Sequence, residues 1–254
     1  MINTCVKLLN PIEEKKEQTL FKVAALADKR NVPILLCGAM ARDILFWHMH
    51  GLELRRATMD VDISIQIRNW EAYEEFSEAL MKDGFENPFN DHPEKLRDKD
   101  TGVELDLLPF GEIAGDGRMI VWPQDGSLWN IIGLQDAFEH ALHLAVSCDG
   151  QTQSISFISA PALVMLKIVA VHDRPEDRFK KDGTDIGFVI KHYLDIGNRN
   201  RLKAPPEDDI MARVGDDLDL ATAMLLGRDI NKIAGEDTLK YVLELLEIEI
   251  IANL

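Results

Sequence analysis

The chain is 254 residues long, 46% hydrophobic, and carries a formal net charge of −16, so it can bury a full core as one large domain or two modest ones. An acidic balance of that size excludes a long, sequence-independent grip on nucleic acid, which depends on Lys and Arg neutralising phosphates, and leaves only a local basic cleft for such a partner. Cys5, Cys37 and Cys148 lack C-x-x-C spacing, which excludes a structural zinc and points to reduced thiols; with no signal-peptide core around Glu13-Glu14-Lys15-Lys16-Glu17 and no apolar run of membrane-spanning length, the expected protein is soluble, cytoplasmic and without a membrane partner.

Asn10-Pro11 offers a cap and first position for a helix reaching about Arg30, with Leu20, Ala24 and Ala27 on one face and Asn31-Val32-Pro33 as its stop. Ile34 to Cys37, an apolar run between Pro33 and Gly38, predicts a buried strand; Ala39 to His50 predicts the helix after it, with Gly38 at the turn. Ala57 to Ile67 alternates, Val61, Ile63, Ile65 and Ile67 against Asp60, Asp62, Ser64 and Gln66, the pattern of a half-buried strand with a polar working end. Trp70 to Lys82 carries Tyr73, Phe76, Leu80 and Met81 at helical spacing, and Gly84 ends it. Thr101-Gly102 then turns into a second strand, Val103 to Leu108, with Glu104 and Asp106 on one side.

Gly111 to Ser127 reads as loop, interrupted by a short Met119-Ile120-Val121-Trp122 strand. Alternation returns over Ala137 to Val146, and Cys148-Asp149-Gly150 turns into Ser154 to Ile158, a hairpin. After Pro161 the pattern is helical, at Ala162 to Val171, Asp182 to Tyr193, Asp217 to Leu226 and Thr238 to Ile251, with Ala204-Pro205-Pro206 breaking the second from the third. The economical division is an α/β domain with a mixed sheet over 1–158 and a helical domain over 159–254.

Side chains repeat every two residues along a strand, so Asp60 and Asp62 point the same way. Carboxylates roughly 4 Å apart repel by about 4 kcal/mol at an effective dielectric of about 20, so the pair calls for protonation, solvent or a divalent cation. Oxygen ligands suit a hard ion such as Mg²⁺. With Asp106 from the second strand, three acids can face one metal site of the kind phosphoryl transfer requires. Gly38 lets the backbone approach phosphate oxygens, and the helix after it presents N–H groups and a favourable dipole to a triphosphate tail.

The order Cys37-Gly38-Ala39-Met40-Ala41-Arg42-Asp43, then Thr58-Met59-Asp60-Val61-Asp62, then Gly102-Val103-Glu104-Leu105-Asp106-Leu107-Leu108 resembles the nucleotidyltransferase fold of the DNA polymerase β superfamily. The G-x-x-A-R-D-x-L form is also similar to tRNA nucleotidyltransferases. The nearer resemblance, over roughly residues 33–195, is to AbiEii-type nucleotidyltransferases, the toxin class of certain bacterial toxin–antitoxin pairs. Their catalytic half is followed by a helical half with a Lys and a basic element, a similarity that falls here on Lys167, Arg174, Arg178, Lys180, Lys181, Asp182 and Asp185, with Leu225-Leu226-Gly227-Arg228-Asp229 a fainter echo.

The resemblance implies a polymerase-β-like mixed sheet with flanking helices and a mainly helical C-terminal region closing a cleft over it. It implies Asp60, Asp62 and Asp106 as catalytic metal ligands and Gly38, Ala39, Arg42, Lys167 and Lys181 as nucleotide-binding residues. The family turn usually continues with Gly or Ser, whereas here Gly38 is followed by Ala39, which has neither a second free backbone unit nor a hydroxyl for phosphate. The implied cofactor is Mg²⁺, or Mn²⁺, with an NTP as co-substrate. The implied reaction moves an NMP to a hydroxyl of RNA, such as a tRNA end, or of a protein, with a cognate antitoxin as partner. Nucleotidylation of a small-molecule antibiotic and a non-catalytic binding module on the same fold are the alternatives.

Several residues carry a plainer reading beside the functional one. Glu104 shares the strand face of Asp106 and is the other candidate third ligand. Arg42 and Asp43 read as an intrahelical pair as readily as a substrate contact, and Lys167 as a snorkelling Lys on a packed helix as readily as a phosphate contact. The seven His show no metal-ligand spacing, and Trp47, Trp70, Trp122 and Trp129 read as packing residues, with Trp122 and Trp129 also near a loop that could cover a base.

Overall fold

The computed structural model describes residues 5–53, 60–89, 92–115, 117–173 and 176–252, with the backbone alone for 176–180 and 248–252. The chain divides into two compact units, Met1–Ile158 and Ser159–Leu254.

The first unit is a mixed sheet. Its strands are β1 (Ile34–Leu36), β2 (Asp60–Gln66), β3 (Phe85–Glu86), β4 (Lys95–Asp98), β5 (Glu104–Phe110), β8 (Leu142–Cys148) and β9 (Gln151–Phe157), and a separate hairpin is made by β6 (Met119–Val121) and β7 (Leu128–Asn130). The seven strands stand in the order β3-β4-β5-β2-β1-β9-β8. β2 runs parallel to β5 and β1 parallel to β9, while the remaining pairs are antiparallel. In the central strand β2, Val61, Ile63 and Ile65 are buried, as its alternation predicts, and Ser64 on the opposite face is buried as well.

Helices α1 (Glu14–Arg30) and α3 (Trp70–Lys82) contribute Leu20, Val23, Ala24 and Ala27, and Tyr73, Phe76, Ala79 and Leu80, to the core. α3 starts where Asn69 caps it, its side chain accepting the Ala72 N–H at 3.0 Å. α1 ends where Asn31 turns left-handed, φ 54°, a conformation Asn tolerates better than most residues.

The expected capping by Asn10-Pro11 is corrected: α1 begins at Glu14, and the Asn10 side chain instead donates to the Trp47 carbonyl at 2.9 Å. The predicted helix 39–50 is α2 (Gly38–Asp43) followed by one π-helical turn, Ile44–His48. The alternation of 137–146 does not form one strand. Gly133, at φ 81°, turns the chain into α4 (Leu134–Glu139), and β8 starts only at Leu142. The Asp149-Gly150 hairpin forms, both residues at positive φ and Cys148 opposite Gln151, the two-residue turn whose twist matches its strands. Ala57, Thr58 and Met59, the expected start of β2, lie outside the described residues.

The second unit is helical: α5 (Ala160–Asp173), α6 (Glu176–His192), α7 (Asp209–Val214), α8 (Leu218–Ile233) and α9 (Glu236–Ala252). α5 packs against α6, α8 and α9, and is apolar around most of its circumference, as a central helix must be. A polar cluster ties α8 to the chain before it. Asp229 accepts the Tyr193 hydroxyl at 2.6 Å and both Arg201 nitrogens at 2.6 Å, while the buried Glu207 pairs with Lys232 at 2.7 Å and Arg228 at 2.9 Å.

Candidate active site

Because β2 and β5 are adjacent and parallel, their side chains line up in pairs: Asp60 opposite Glu104 and Asp62 opposite Asp106. Asp60, Asp62 and Asp106, all half-buried, each bring one carboxylate oxygen within 4.8 Å of the others. Two oxygens on one octahedral Mg²⁺ lie about 3–4 Å apart, and the ligands of a two-ion site lie further apart. The donor set, all carboxylate oxygen, and its spacing fit a hard divalent cation with small side-chain adjustments. Glu104 stands apart from this group, with its carboxylate against Arg97 at 3.1 Å.

Gly38 opens α2 with φ +65°. A Cβ at that position would run into the Asp62 carboxylate and fall 2.9 Å from the Asp62 Cβ. The Cys37 N–H also donates to the Asp62 carbonyl at 2.8 Å, so the glycine turn is clamped to the strand beside the acid it must accommodate. The Cys37 thiol is buried, and burial pushes its pKa up to about 12, which removes it as a nucleophile. Ala39 is buried in the same turn. Arg42 is buried too, and donates from Nε and Nη2 to Asp43 at 3.0 and 2.7 Å.

Lys95 is the site residue that the sequence reading missed. It sits directly opposite Asp106 on antiparallel β4, and its ammonium donates to both Asp106 oxygens at 2.9 Å. Burial raises the Asp106 pKa; Lys95 works against this, and the charges of Asp60 and Glu94 add to the rise. Burial works to lower the Lys95 pKa, yet the hydrogen bond and charge of Asp106 carry it upward. The Tyr73 hydroxyl donates to the Leu107 carbonyl at 3.2 Å, and burial, with Glu94 and Asp106 nearby, keeps it protonated. A signal for Lys95 existed: Lys95-Leu96-Arg97 and Glu104-Leu105-Asp106 are charge-complementary when paired antiparallel across the Thr101-Gly102 turn.

The remaining expected residues lie in the second unit. The Lys167 ammonium is 2.8 Å from Asp182 and 2.7 Å from Asp185, with both acids buried. Lys181 is exposed on α6. Arg174 lies outside the described residues, as do the side chains of Arg178 and Lys180. Trp122 is buried against Trp70, Tyr73 and Trp129, with ring centroids 4.9 to 5.5 Å away, which is the packing role expected of it. Among the described residues, no helix is long and apolar enough to cross a membrane.

The chain is a nucleotidyltransferase. Residues 24–205 match the family model "Nucleotidyl transferase AbiEii toxin, Type IV TA system". The chain belongs to that family.

Among solved structures it is similar to ANT(2'')-Ia in complex with adenylyl-2''-tobramycin, at 17% identity over 73% of this chain and 98% of that one, TM-score 0.39. It is similar also to an antigenic nucleotidyltransferase-like protein from Paracoccidioides brasiliensis, at 19% identity over 93% and 95%, TM-score 0.40. A third similarity is to the Thermotoga maritima CCA-adding enzyme complexed with tRNA, at 16% identity over 63% and 37%, TM-score 0.28. No curated protein matches it significantly.

Proposed function

We propose that the protein transfers a nucleoside monophosphate from an NTP to a hydroxyl on RNA or protein, using Asp60, Asp62 and Asp106 as ligands of a divalent cation, with Mg²⁺ the first candidate and Mn²⁺ a substitute. The observation that carries this reading is the convergence of three carboxylates within 4.8 Å on β2 and β5. Bound there, a divalent cation would neutralise phosphate charge and align the attacking and leaving oxygens. The acceptor hydroxyl oxygen forms a bond to the α-phosphorus while the bond to the bridging oxygen breaks and pyrophosphate leaves. Asp106, on the strand beside Asp62, is the carboxylate we assign to receive the hydroxyl proton. Gly38 and Ala39 present the backbone to the phosphates. Arg42 holds Asp43 in the turn. The family resemblance makes Lys167 and Lys181 the candidates to neutralise charge on pyrophosphate; Lys181 is exposed on α6, and Lys167 is paired with Asp182 and Asp185. Membership of a type IV toxin–antitoxin toxin family supports a cognate antitoxin as partner and a cytoplasmic location.

The net charge of −16 favours a second acceptor class, a cationic small molecule such as an aminoglycoside, drawn to an acidic site. One experiment separates these acceptors. The protein is incubated with Mg²⁺, each NTP labelled at the α-phosphate, and in separate tubes total RNA, cell protein and aminoglycosides. Label on RNA or protein, abolished in Asp60→Asn and Asp62→Asn, is the expected result. Label confined to the aminoglycoside selects the second reading, and unchanged turnover in either variant sinks the assignment of the metal ligands.

A further inference from the structure

Lys95 has a role that the three-acid reading of the site does not use. Both oxygens of Asp106 accept from the Lys95 ammonium, at 2.9 Å each. Direct cross-strand placement fixes this pair, because Lys95 and Asp106 are register partners on β4 and β5. The next pair outward, Arg97 against Glu104, occupies that strand's other acid, so β5 meets a cation from β4 at each carboxylate on this face. Glu104 stays paired without consequence for the site, since it is not one of the three acids that converge. Asp106 is in a different position: an oxygen that ligates a dication must give up, or share, the contact it makes with Lys95.

We propose that Lys95 is a positioning residue that competes with the divalent cation for Asp106, so that the nucleotide-free enzyme captures metal weakly. Lys95 places a positive charge against one of the three acids, where it opposes an arriving cation. Asp60 and Asp62 then hold an arriving ion, and Asp106 closes on it once the negative charge of a nucleotide offsets the repulsion between the ion and the ammonium. The competition also keeps the Asp106 carboxylate oriented before the site is loaded. This proposal rests on the metal-site reading above, and its test is arranged so that the two fail separately.

Mn²⁺ binding to the nucleotide-free protein is followed by electron paramagnetic resonance, with circular dichroism checking the fold of every variant. Lys95→Met should bind Mn²⁺ about tenfold more tightly than the wild type or better, as expected for removing one charge a few ångströms from the ion. Lys95→Gln serves if the methionine variant does not fold, and Lys95→Arg, which keeps the charge, should stay near wild type. In an Asp106→Asn background the gain from Lys95→Met should be smaller than in the wild-type background, because the contested contact is gone and only the repulsion between ammonium and ion is left to relieve. Folded Lys95→Met and Lys95→Gln proteins with Mn²⁺ affinity within about twofold of wild type would overturn the proposal, as would a gain that survives Asp106→Asn intact. Should Asp60→Asn and Asp62→Asn leave Mn²⁺ affinity unchanged, the metal-site reading itself fails, and the proposal with it. A lysine that merely supported the sheet would lower the melting temperature without moving the Mn²⁺ affinity.

Discussion

Gly38→Ala tests how tightly the glycine turn and the second acid are built into each other. Two costs are readable in the structure. The first is backbone strain, since φ is +65° at this position and a non-glycine residue there costs about 1–2 kcal/mol. The second is steric. The Asp62 carboxylate can swing away from a new methyl group by changing rotamer, but the contact of 2.9 Å with the Asp62 Cβ remains, and relieving it means shifting α2 or β2 by a few tenths of an ångström, at about 1 kcal/mol. Together these predict a loss of about 2–3 kcal/mol, or roughly 4–12 °C in melting temperature for a unit of this size.

The functional loss should be larger than the loss in stability. A swung-out Asp62 leaves the triad, and displacing a positioning group by about 1 Å can cost about a hundredfold in rate. Thermal melts and single-turnover transfer assays measure the two effects on the same preparations. Gly150→Ala is the control: its φ is +76° and nothing lies within 4 Å of the position a methyl group would take, so it should show the backbone cost, about 1–2 kcal/mol, and full activity. If Gly38→Ala melts like Gly150→Ala and keeps wild-type Mn²⁺ affinity and turnover, the packing of Asp62 against the turn has no functional weight and the reasoning is refuted.

Asp98, on the opposite side of β4 from Lys95, is buried and accepts Lys22 Nζ at 2.8 Å, the Thr19 hydroxyl at 2.9 Å and the Asp100 N–H at 3.0 Å. Burial opposes its ionisation, but the Lys22 pair and these hydrogen bonds outweigh it and lower its pKa. A carboxylate depressed in the folded state stabilises above the unfolded value, about 4, and loses that contribution as pH falls through the folded value. Asp98→Asn should therefore cost about 2–3 kcal/mol at neutral pH, and urea titrations should show the gap from wild type closing below about pH 4; a gap that persists unchanged at about pH 3 would refute the assignment. In the second unit, Tyr193→Phe should cost about 1 kcal/mol by losing one hydrogen bond, and Asp229→Ala about 3 kcal/mol by stranding Arg201 and the Tyr193 hydroxyl. The double variant should cost little more than Asp229→Ala alone, and additive losses in urea denaturation would count against the shared network.

Much of the site was legible because it rests on a short period. Asp60 and Asp62 share a face by alternation alone, and the Thr101-Gly102 turn marks the strand that brings Asp106. The placement of Asp106 beside Asp62 was not legible, since register between strands separated by some forty residues is a tertiary property. Lys95 escaped for a related reason. Lys95-Leu96-Arg97-Asp98 has one apolar residue and reads as solvated loop, and only pairing with β5 makes it a strand. The error at 137–146 has a local cause: Leu134, Ala137 and Phe138 also satisfy a helical spacing, and Gly133 starts that helix before the alternation can take hold. In the second unit, helix existence followed from periodicity, while the start of α6 at Glu176 rather than Asp182 did not, because Phe179 is the single apolar residue among 176–182.

The parallel pairing of β2 with β5 also governs when the site comes into being. Its acids are supplied by two strands that cannot be joined by a tight turn, and between them the chain must lay down α3, β3 and β4. Long-range pairings of this kind carry a loop-closure cost and form late. A growing chain emerging from the ribosome therefore carries Asp60 and Asp62 before Asp106 is made, and the three acids come together only when β5 pairs with β2.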